Sequence, residues 1–224
     1  MQLTKFVHSC VLVETDQSTA LFDPGIMSEQ ALDNTIITKL DDIFITHSHT
    51  DHNSLSAISK LVSQFPDVRI TASAPVVSQL AEANLLASSI TPEEAEIFES
   101  RHQAGGKLFT TPEQIGIHYL NVFTHPGDSH SFKETKSILA LPVTAPWGST
   151  VNAVKLGLKL QPRYILPIHD WHWQDAARLN TYDQLEAIFA EAGITFLKPE
   201  TGVPIDIPPS RKQGAKLKTA KIYN

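Results

Sequence analysis

The segment Thr46-His47-Ser48-His49-Thr50-Asp51-His52 governs how the rest of the sequence is interpreted. It contains four metal-binding side chains within six residues, three imidazoles and one carboxylate. Imidazole nitrogens suit zinc and similar ions, and a carboxylate adds an oxygen ligand and negative charge. The segment directly follows the apolar run Ile43-Phe44-Ile45, which is typical of a buried strand. A metal site is therefore predicted at the carboxyl end of a strand.

The surrounding sequence alternates between strand and helix patterns. Apolar, β-branched runs predict strands at residues 10–15, 19–22, 42–46, 68–72, 137–141 and 164–168, with two short late strands at 194–197 and 203–207. Helical spacing predicts apolar faces at residues 55, 58, 61 and 62, at 77, 80, 81 and 84, and at 185, 188, 189 and 192. Residues 91–99 fit both a capping box for a helix and a strand. Mixed sheets covered by helices are expected from this order.

The composition is typical of a globular protein with one main domain. The chain has 224 residues, of which 42% are hydrophobic and 19% are charged. We expect a single domain over residues 1–209 and a basic tail over residues 210–224, which holds five Lys and Arg and no acidic residue. The tail is interpreted as a solvated segment, with an anion-binding or subunit-contacting arm as the alternative.

The charge and the N-terminal sequence limit the expected partners. A formal net charge of −6 argues against nucleic acid or an anionic membrane. The single cysteine, Cys10, excludes an intramolecular disulfide, and without a recognisable base it is expected to be a small buried residue. No secretory signal or bilayer-spanning run is recognised, so a cytoplasmic protein with a small-molecule partner is expected. A homo-oligomer stays an open alternative.

Further metal ligands are expected at other strand ends, because one loop does not complete two metal sites. Asp128 follows a Pro-Gly turn, and His169 ends the predicted strand at 164–168. His102 is the third candidate, with His118 and His125 as nearby rivals. His118 fits a packed strand residue better, and His125 fits a supporting position.

Four side chains near these ligands are candidates for a substrate pocket. They are His8, His130, Trp147 and His172, and the last belongs to the run Trp171-His172-Trp173, which could form a wall of such a pocket. Packing in the core or at the rim is the alternative for each of them, because tryptophan and histidine commonly fill such positions.

The ordered motifs resemble those of the metallo-β-lactamase superfamily of metal-dependent hydrolases. The resemblance rests on His47-x-His49-x-Asp51-His52, then His102, Gly127-Asp128 and Pro167-Ile-His169, and it covers nearly the whole chain. The opening motifs Phe6-x-His8-Ser9 and Leu21-Phe-Asp23-Pro24-Gly25 also resemble the first strands of this family. Within it, the chain is similar to the single-domain branch of ascorbate-phosphate lactonase-like proteins.

The resemblance implies an α/β fold, a four-layer αββα sandwich of two mixed sheets flanked by helices, with two divalent metal ions at one edge. The implied ligands are His47, His49 and His102 for the first ion, Asp51, His52 and His169 for the second, and Asp128 as a bridge. Zinc is expected, with Mn2+ or Fe2+ as alternatives. A histidine at position 49, where oxygen-reducing diiron members carry a carboxylate, favours a hydrolase over a redox enzyme.

The implied reaction is hydrolysis of a small-molecule ester, lactone or phosphoester by a metal-bridged hydroxide. Asp51 and Asp128 are the expected catalytic residues, with Asp51 orienting the hydroxide. A phosphodiesterase acting on nucleotides or RNA is an alternative that the negative charge opposes. A metal-binding module without turnover is the other alternative.

Overall fold

Two mixed sheets of six strands each form the centre of the fold. The computed structural model describes residues 1–108 and 110–208, so the expected basic tail lies outside the described residues and its boundary stays a prediction. The first sheet contains β1 (Gln2–Lys5), β2 (Val11–Glu14), β3 (Thr19–Phe22), β4 (Asp42–Ile45), β5 (Arg69–Ala72) and β12 (Pro204–Asp206). The second contains β6 (Ala95–Phe98), β7 (Gly116–Tyr119), β8 (Phe123–His125), β9 (Ile138–Pro142), β10 (Tyr164–Ile168) and β11 (Thr195–Phe196).

Each sheet combines an antiparallel part with a parallel part. The strand order is β12-β1-β2-β3-β4-β5 in the first sheet and β11-β10-β9-β8-β7-β6 in the second. The pairs from β12 to β3 are antiparallel, whereas β3, β4 and β5 run parallel. In the second sheet β6, β7 and β8 are antiparallel, and β8 to β11 run parallel.

Five α-helices in the described residues cover the outer faces of the sheets. They are α1 (Glu29–Asp33), α2 (Leu55–Gln64), α3 (Ala74–Glu82), α4 (Thr150–Leu160) and α5 (Asp175–Glu191). Ser54 caps α2 by accepting a hydrogen bond from the backbone N–H of Ala57 at 3.2 Å. No helix in residues 1–108 and 110–208 combines the length and apolarity that a bilayer span requires.

Alternation along the strands separates three apolar cores. Val11 and Phe44 face the space between the sheets, whereas Leu12, Ile43 and Ile45 face helices α1 to α3. A third core lies between the second sheet and helices α4 and α5. This arrangement confirms the expected four-layer αββα sandwich of two mixed sheets.

One alternative that the sequence left open is decided by the structure, and one local expectation needs correction. Residues 91–94 are not helical, and β6 follows them because Ile97 pairs with Ile117 on β7. The apolar face of α3 is formed by Val76 and Leu80; of the predicted positions, Leu80 is buried, Val77 is half-buried against the same core and Ala81 is exposed. The helix ends at Glu82, so the predicted position 84 lies beyond it.

The loops with expected site residues lie at one edge of the sandwich. In the first sheet, the loops that follow the parallel strands β3 and β4 begin at residues 23 and 46. In the second sheet, β6, β8 and β10 point in the same direction, and His102, Asp128 and His169 follow them. Because parallel strands end at a common edge, residues far apart in the sequence meet there.

His118 lies on β7 and away from that edge. Its ring is buried and stacks on Phe98 with 4.2 Å between centroids, and its Nδ1 lies 2.9 Å from Thr124 Oγ1. Burial lowers the pKa of the His118 imidazole to about 4, and the positive charge of Lys136 adds to the shift. The folded protein therefore holds His118 neutral at pH values where the unfolded chain protonates it.

We predict that His118 makes the free energy of unfolding depend on pH. The unfolded chain binds a proton below about pH 6.5, whereas the folded protein binds it only near pH 4, so stability is full above this window and falls as the pH falls. Relative to the His118→Gln variant, the wild type should lose about 2–3 kcal/mol between pH 7 and pH 4. Urea unfolding of both proteins at several pH values measures this difference, and parallel curves would contradict it.

Candidate metal centre

The edge shared by both sheets gathers two clusters of metal-binding side chains. His47, His49, His102 and Asp128 form the first cluster, and His8, Asp51, His52 and His169 form the second. Within each cluster the candidate ligand atoms lie within 4.8 Å of one another. The structure thus brings all seven expected ligands together in two adjacent groups, and it adds His8 to the second.

The carboxylate of Asp128 faces both clusters with different oxygens. Its Oδ1 lies 2.6 Å from His169 Nε2 and 3.0 Å from His52 Nε2. Its Oδ2 lies 3.5 Å from His102 Nε2 and 4.0 Å from His47 Nε2. This placement is the one that a bridging ligand requires.

His102 lies in the first cluster, and its two rivals do not. His102 Nδ1 is 2.7 Å from the carbonyl oxygen of Gln103, so Nδ1 donates there and Nε2 faces Asp128. His125 lies beneath the loops and donates from Nε2 to the Ser9 carbonyl at 3.0 Å. His118 lies on β7 and stacks on Phe98, away from both clusters.

A buried carboxylate at Asp23 fixes the histidine loop from below. Its Oδ1 accepts a hydrogen bond from Thr46 N at 2.7 Å, and its Oδ2 accepts from Thr46 Oγ1 at 2.8 Å. The same Oδ2 lies 2.7 Å from His52 Nδ1, which makes Nδ1 the donor and leaves Nε2 for an ion. In the sequence, Asp23 stands out only as part of the motif Leu21-Phe-Asp23-Pro24-Gly25. The available signal was its position at the end of β3, next to β4.

Close backbone packing keeps the histidine loop in place. A Cβ atom at Gly25 would lie 1.7 Å from the carbonyl oxygen of Asp51, so only glycine fits there. Ile26 N donates to Thr50 O at 2.9 Å, and Ser54 N donates to Pro24 O at 2.9 Å. The segment after β3 therefore holds both ends of the ligand loop.

A buried ion pair supports the turn at His169. The Lys5 ammonium lies 2.8 Å from Asp170 Oδ1, and the Tyr182 hydroxyl donates to the other Asp170 oxygen. Because Asp170 directly follows His169, this network anchors the backbone where His169 adopts a positive φ of 66°.

Burial and neighbouring charges shift the pKa values of the side chains in both clusters. Burial and the charge of His52 hold the pKa of His47 well below its usual value, so His47 is neutral. Burial raises the pKa of Asp128, but the charges of His169 and His52 outweigh it and hold that pKa well below its usual range. Burial lowers the pKa of His52, but the carboxylates of Asp128 and Asp23 raise it by more, so that the pKa lies well above its usual value. A proton on His52 and a divalent ion therefore compete for the same charge.

The residues present fit divalent metal ions. His169 Nε2 and His52 Nε2 lie 3.3 Å apart, and His47 Nε2 and His49 Nδ1 lie 3.2 Å apart. Ligands held at about 2.1 Å from one ion lie about 3.0–3.4 Å apart at right to tetrahedral angles. The observed spacings match those edges, and nitrogen and carboxylate donors are the set that zinc and similar ions prefer.

A cavity of about 420 Å³ opens above both clusters. Its walls include Pro146, Trp147 and Trp171, and ligand side chains from both clusters form its floor. Trp147 Nε1 donates a hydrogen bond to Asp128 Oδ2 at 3.0 Å, which joins the wall to the bridging position.

The four predicted pocket residues occupy different places. Trp147 lines the cavity, and His8 lies beneath it in the second cluster. His130 lies beside Trp147, with Nε2 2.7 Å from the Pro142 carbonyl, and His172 is exposed; neither belongs to the described cavity lining. Substrate contacts of all four stay predictions, and Trp171 takes the wall position next to His172.

Comparison with known proteins identifies the family. The model of the beta-lactamase superfamily domain matches residues 2–169, so the chain belongs to this superfamily. Protein Rv0786c of Mycobacterium tuberculosis is 31% identical over 182 residues, which cover 75% of this chain and 84% of that protein. The predicted membership in the metallo-β-lactamase superfamily is thereby confirmed, whereas the finer similarity to ascorbate-phosphate lactonase-like proteins stays a prediction.

Solved structures share the fold at low sequence identity. Igni18, described as a metallo hydrolase of the archaeon Ignicoccus hospitalis, has a TM-score of 0.66 and 14% identity, covering 92% of this chain and 99% of that chain. The metallo-beta-lactamase fold protein YhfI of Bacillus subtilis has a TM-score of 0.65 and 16% identity, covering 91% and 98%. These likenesses establish the architecture.

We predict that Asp23→Asn weakens metal binding at the second cluster. The amide removes the negative charge and replaces one of the two acceptor oxygens by a donor, so it cannot accept all three hydrogen bonds from Thr46 N, Thr46 Oγ1 and His52 Nδ1. Loss of such a supporting carboxylate should lower the affinity by about 10–100-fold. Competition of the purified protein with a chromophoric chelator for Zn2+ measures this effect.

The matched control is Asp42→Asn. Asp42 is also a buried carboxylate, but it is the first residue of β4, at the opposite end of the strand from the histidine loop, and it pairs with Arg69 at 2.8 Å. This control should lose stability while it keeps its metal affinity. Equal affinities in the wild type and Asp23→Asn would contradict the prediction.

Proposed function

We propose that this chain is a metal-dependent hydrolase with a binuclear centre that acts on a small-molecule ester, lactone or phosphoester. The observation that carries this proposal is the buried Asp128 carboxylate, which divides its two oxygens between two clusters of histidines. Membership in the beta-lactamase superfamily supports it.

The first cluster would hold one ion through His47, His49 and His102, and the second would hold another through Asp51, His52 and His169. Asp128 would contact both ions. Two bound divalent cations supply a water of lowered pKa and polarise a substrate oxygen. Zinc suits this donor set, with Mn2+ or Fe2+ as alternatives.

Asp51 is the acidic residue of the second cluster that the cavity reaches. Its side chain is 27% exposed, whereas that of Asp128 is 3% exposed. A carboxylate at the cavity floor can orient an attacking water and hold the proton that the water loses. Asp128 serves the reaction by fixing the positions of the groups around it, and the Trp147 N–H holds its orientation.

The walls of the cavity favour a small substrate that carries little negative charge. A volume of about 420 Å³ is in the range of small-molecule sites. Two tryptophans and a proline line it, and no lysine or arginine belongs to its described lining. A phosphate group would thus find no basic side chain in this lining, so carboxylic esters and lactones are the favoured substrates.

We predict that Asp128→Asn abolishes hydrolysis and lowers the number of bound ions. The amide cannot compensate the positive charge of both clusters, because it carries no charge and offers only one acceptor oxygen. The measured kcat/KM should fall by more than about 100-fold. Metal content per chain and turnover of a panel of lactones, carboxylic esters and phosphoesters are measured on the same preparations.

Asp183→Asn is the matched control, because Asp183 is an exposed carboxylate on α5 near Lys198. It should retain about two ions and the full rate. A fully active Asp128→Asn protein would refute the role of Asp128 and the binuclear centre that depends on it. Binding of oligonucleotides that weakens with salt would instead favour a phosphodiesterase, and two bound ions without turnover would favour a metal-binding module.

A further inference from the structure

His8 stands outside the ligand set that the sequence motifs imply, yet its side chain lies in the second cluster. We propose that His8 is a direct ligand of the ion in that cluster. This inference rests on the proposed binuclear site. It gives the second ion three histidines, Asp51 and one oxygen of Asp128.

The backbone at His8 is shaped to direct the ring inward. The turn between β1 and β2 is closed by hydrogen bonds from Phe6 N to Cys10 O at 2.9 Å and from Cys10 N to Val7 O at 3.3 Å. At its tip His8 has a φ of 64°, in the left-handed region that non-glycine residues rarely adopt. Such strain persists where the surrounding structure imposes it, and it is concentrated at functional sites.

The His8 ring is sealed from solvent and lacks hydrogen bonds. The residue is 1% exposed, and among the described residues neither Nδ1 nor Nε2 has a hydrogen-bond partner. A buried imidazole that makes no aligned hydrogen bond is unfavourable, because it loses its hydrogen bonds to water. Simple packing therefore does not explain why a histidine occupies this position.

The surroundings of the ring match those of a ligand. His8 Nε2 lies 3.0 Å from Asp51 Oδ2, but the two groups lack the alignment of a hydrogen bond. The ring centroid lies 3.9 Å from that of His169 and 5.1 Å from that of His52. A spacing of about 3.0 Å is what two atoms show when they bind one ion at right angles. The geometry thus favours a shared ion over a direct bond between His8 and Asp51.

The additional ligand makes the two metal sites unequal. The first cluster offers His47, His49, His102 and an oxygen of Asp128, whereas the second offers one ligand more. We expect the second ion to be held more tightly and released last to a chelator. The first ion would retain the freer coordination position for substrate.

The His8→Gln variant tests the role of His8. Glutamine keeps a polar side chain of similar size beside Asp51, but its amide is a poor zinc ligand compared with imidazole. The metal-free protein is titrated with Zn2+ against a chelator, and the two stepwise dissociation constants are measured. We expect the tighter constant to weaken by at least about 10-fold, while the weaker one stays within about 2-fold. His118→Gln, a buried histidine away from both clusters, should leave both constants unchanged.

A second measurement does not depend on the folding of the variant. In the Co2+-loaded wild type, paramagnetically shifted NMR signals of ring N–H groups count the bound histidines. Six such histidines support the proposal, because His8 then joins the five implied by the motifs. Five histidines, or unchanged zinc constants in His8→Gln, would overturn the role of His8 and leave the binuclear proposal standing. A wild-type chain that takes up no metal would overturn both.

Discussion

The site depends on one buried negative charge, the carboxylate of Asp128 between two groups of imidazoles. A buried carboxylate is costly unless positive charge or donors surround it. Its oxygens face His52 and His169 on one side and His47 and His102 on the other. Because these ligands come from loops of both sheets, compensation of this charge also joins the two halves of the sandwich at their common edge.

The backbone around the Asp128 carboxylate is strained at three residues that lie at the site. His8, Asp23 and His169 all have positive φ values, although none of them is glycine. Each follows a strand at the same edge and directs a side chain into or beneath the clusters. Close packing at Gly25 and the ion pair of Lys5 with Asp170 maintain two of these turns. The rigid sheets therefore hold conformations that an isolated loop would not keep.

The sequence predicted what is local or strongly patterned and missed what depends on packing. The histidine loop was recognisable because its ligands are contiguous and follow an apolar strand. Helix α4 was not, because two of the three residues that it buries, Ala153 and Gly157, are small, while Val151 is exposed. The role of Asp23 depends on contacts between distant strands. The run Trp171-His172-Trp173 was recognised as a candidate wall, but the placement of Trp171 rather than His172 in the cavity lining depends on the local direction of one loop.

The two sheets contribute different parts of the site. The deepest of the expected ligands, His47 and His52, are fully buried and come from the loop after β4 in the first sheet. The cavity walls at Trp147 and Trp171 come from the loops after β9 and β10 in the second. Side chains of the walls can change without altering the loop that holds these deep ligands. Selectivity for a substrate can therefore vary in this architecture while the metal chemistry stays the same.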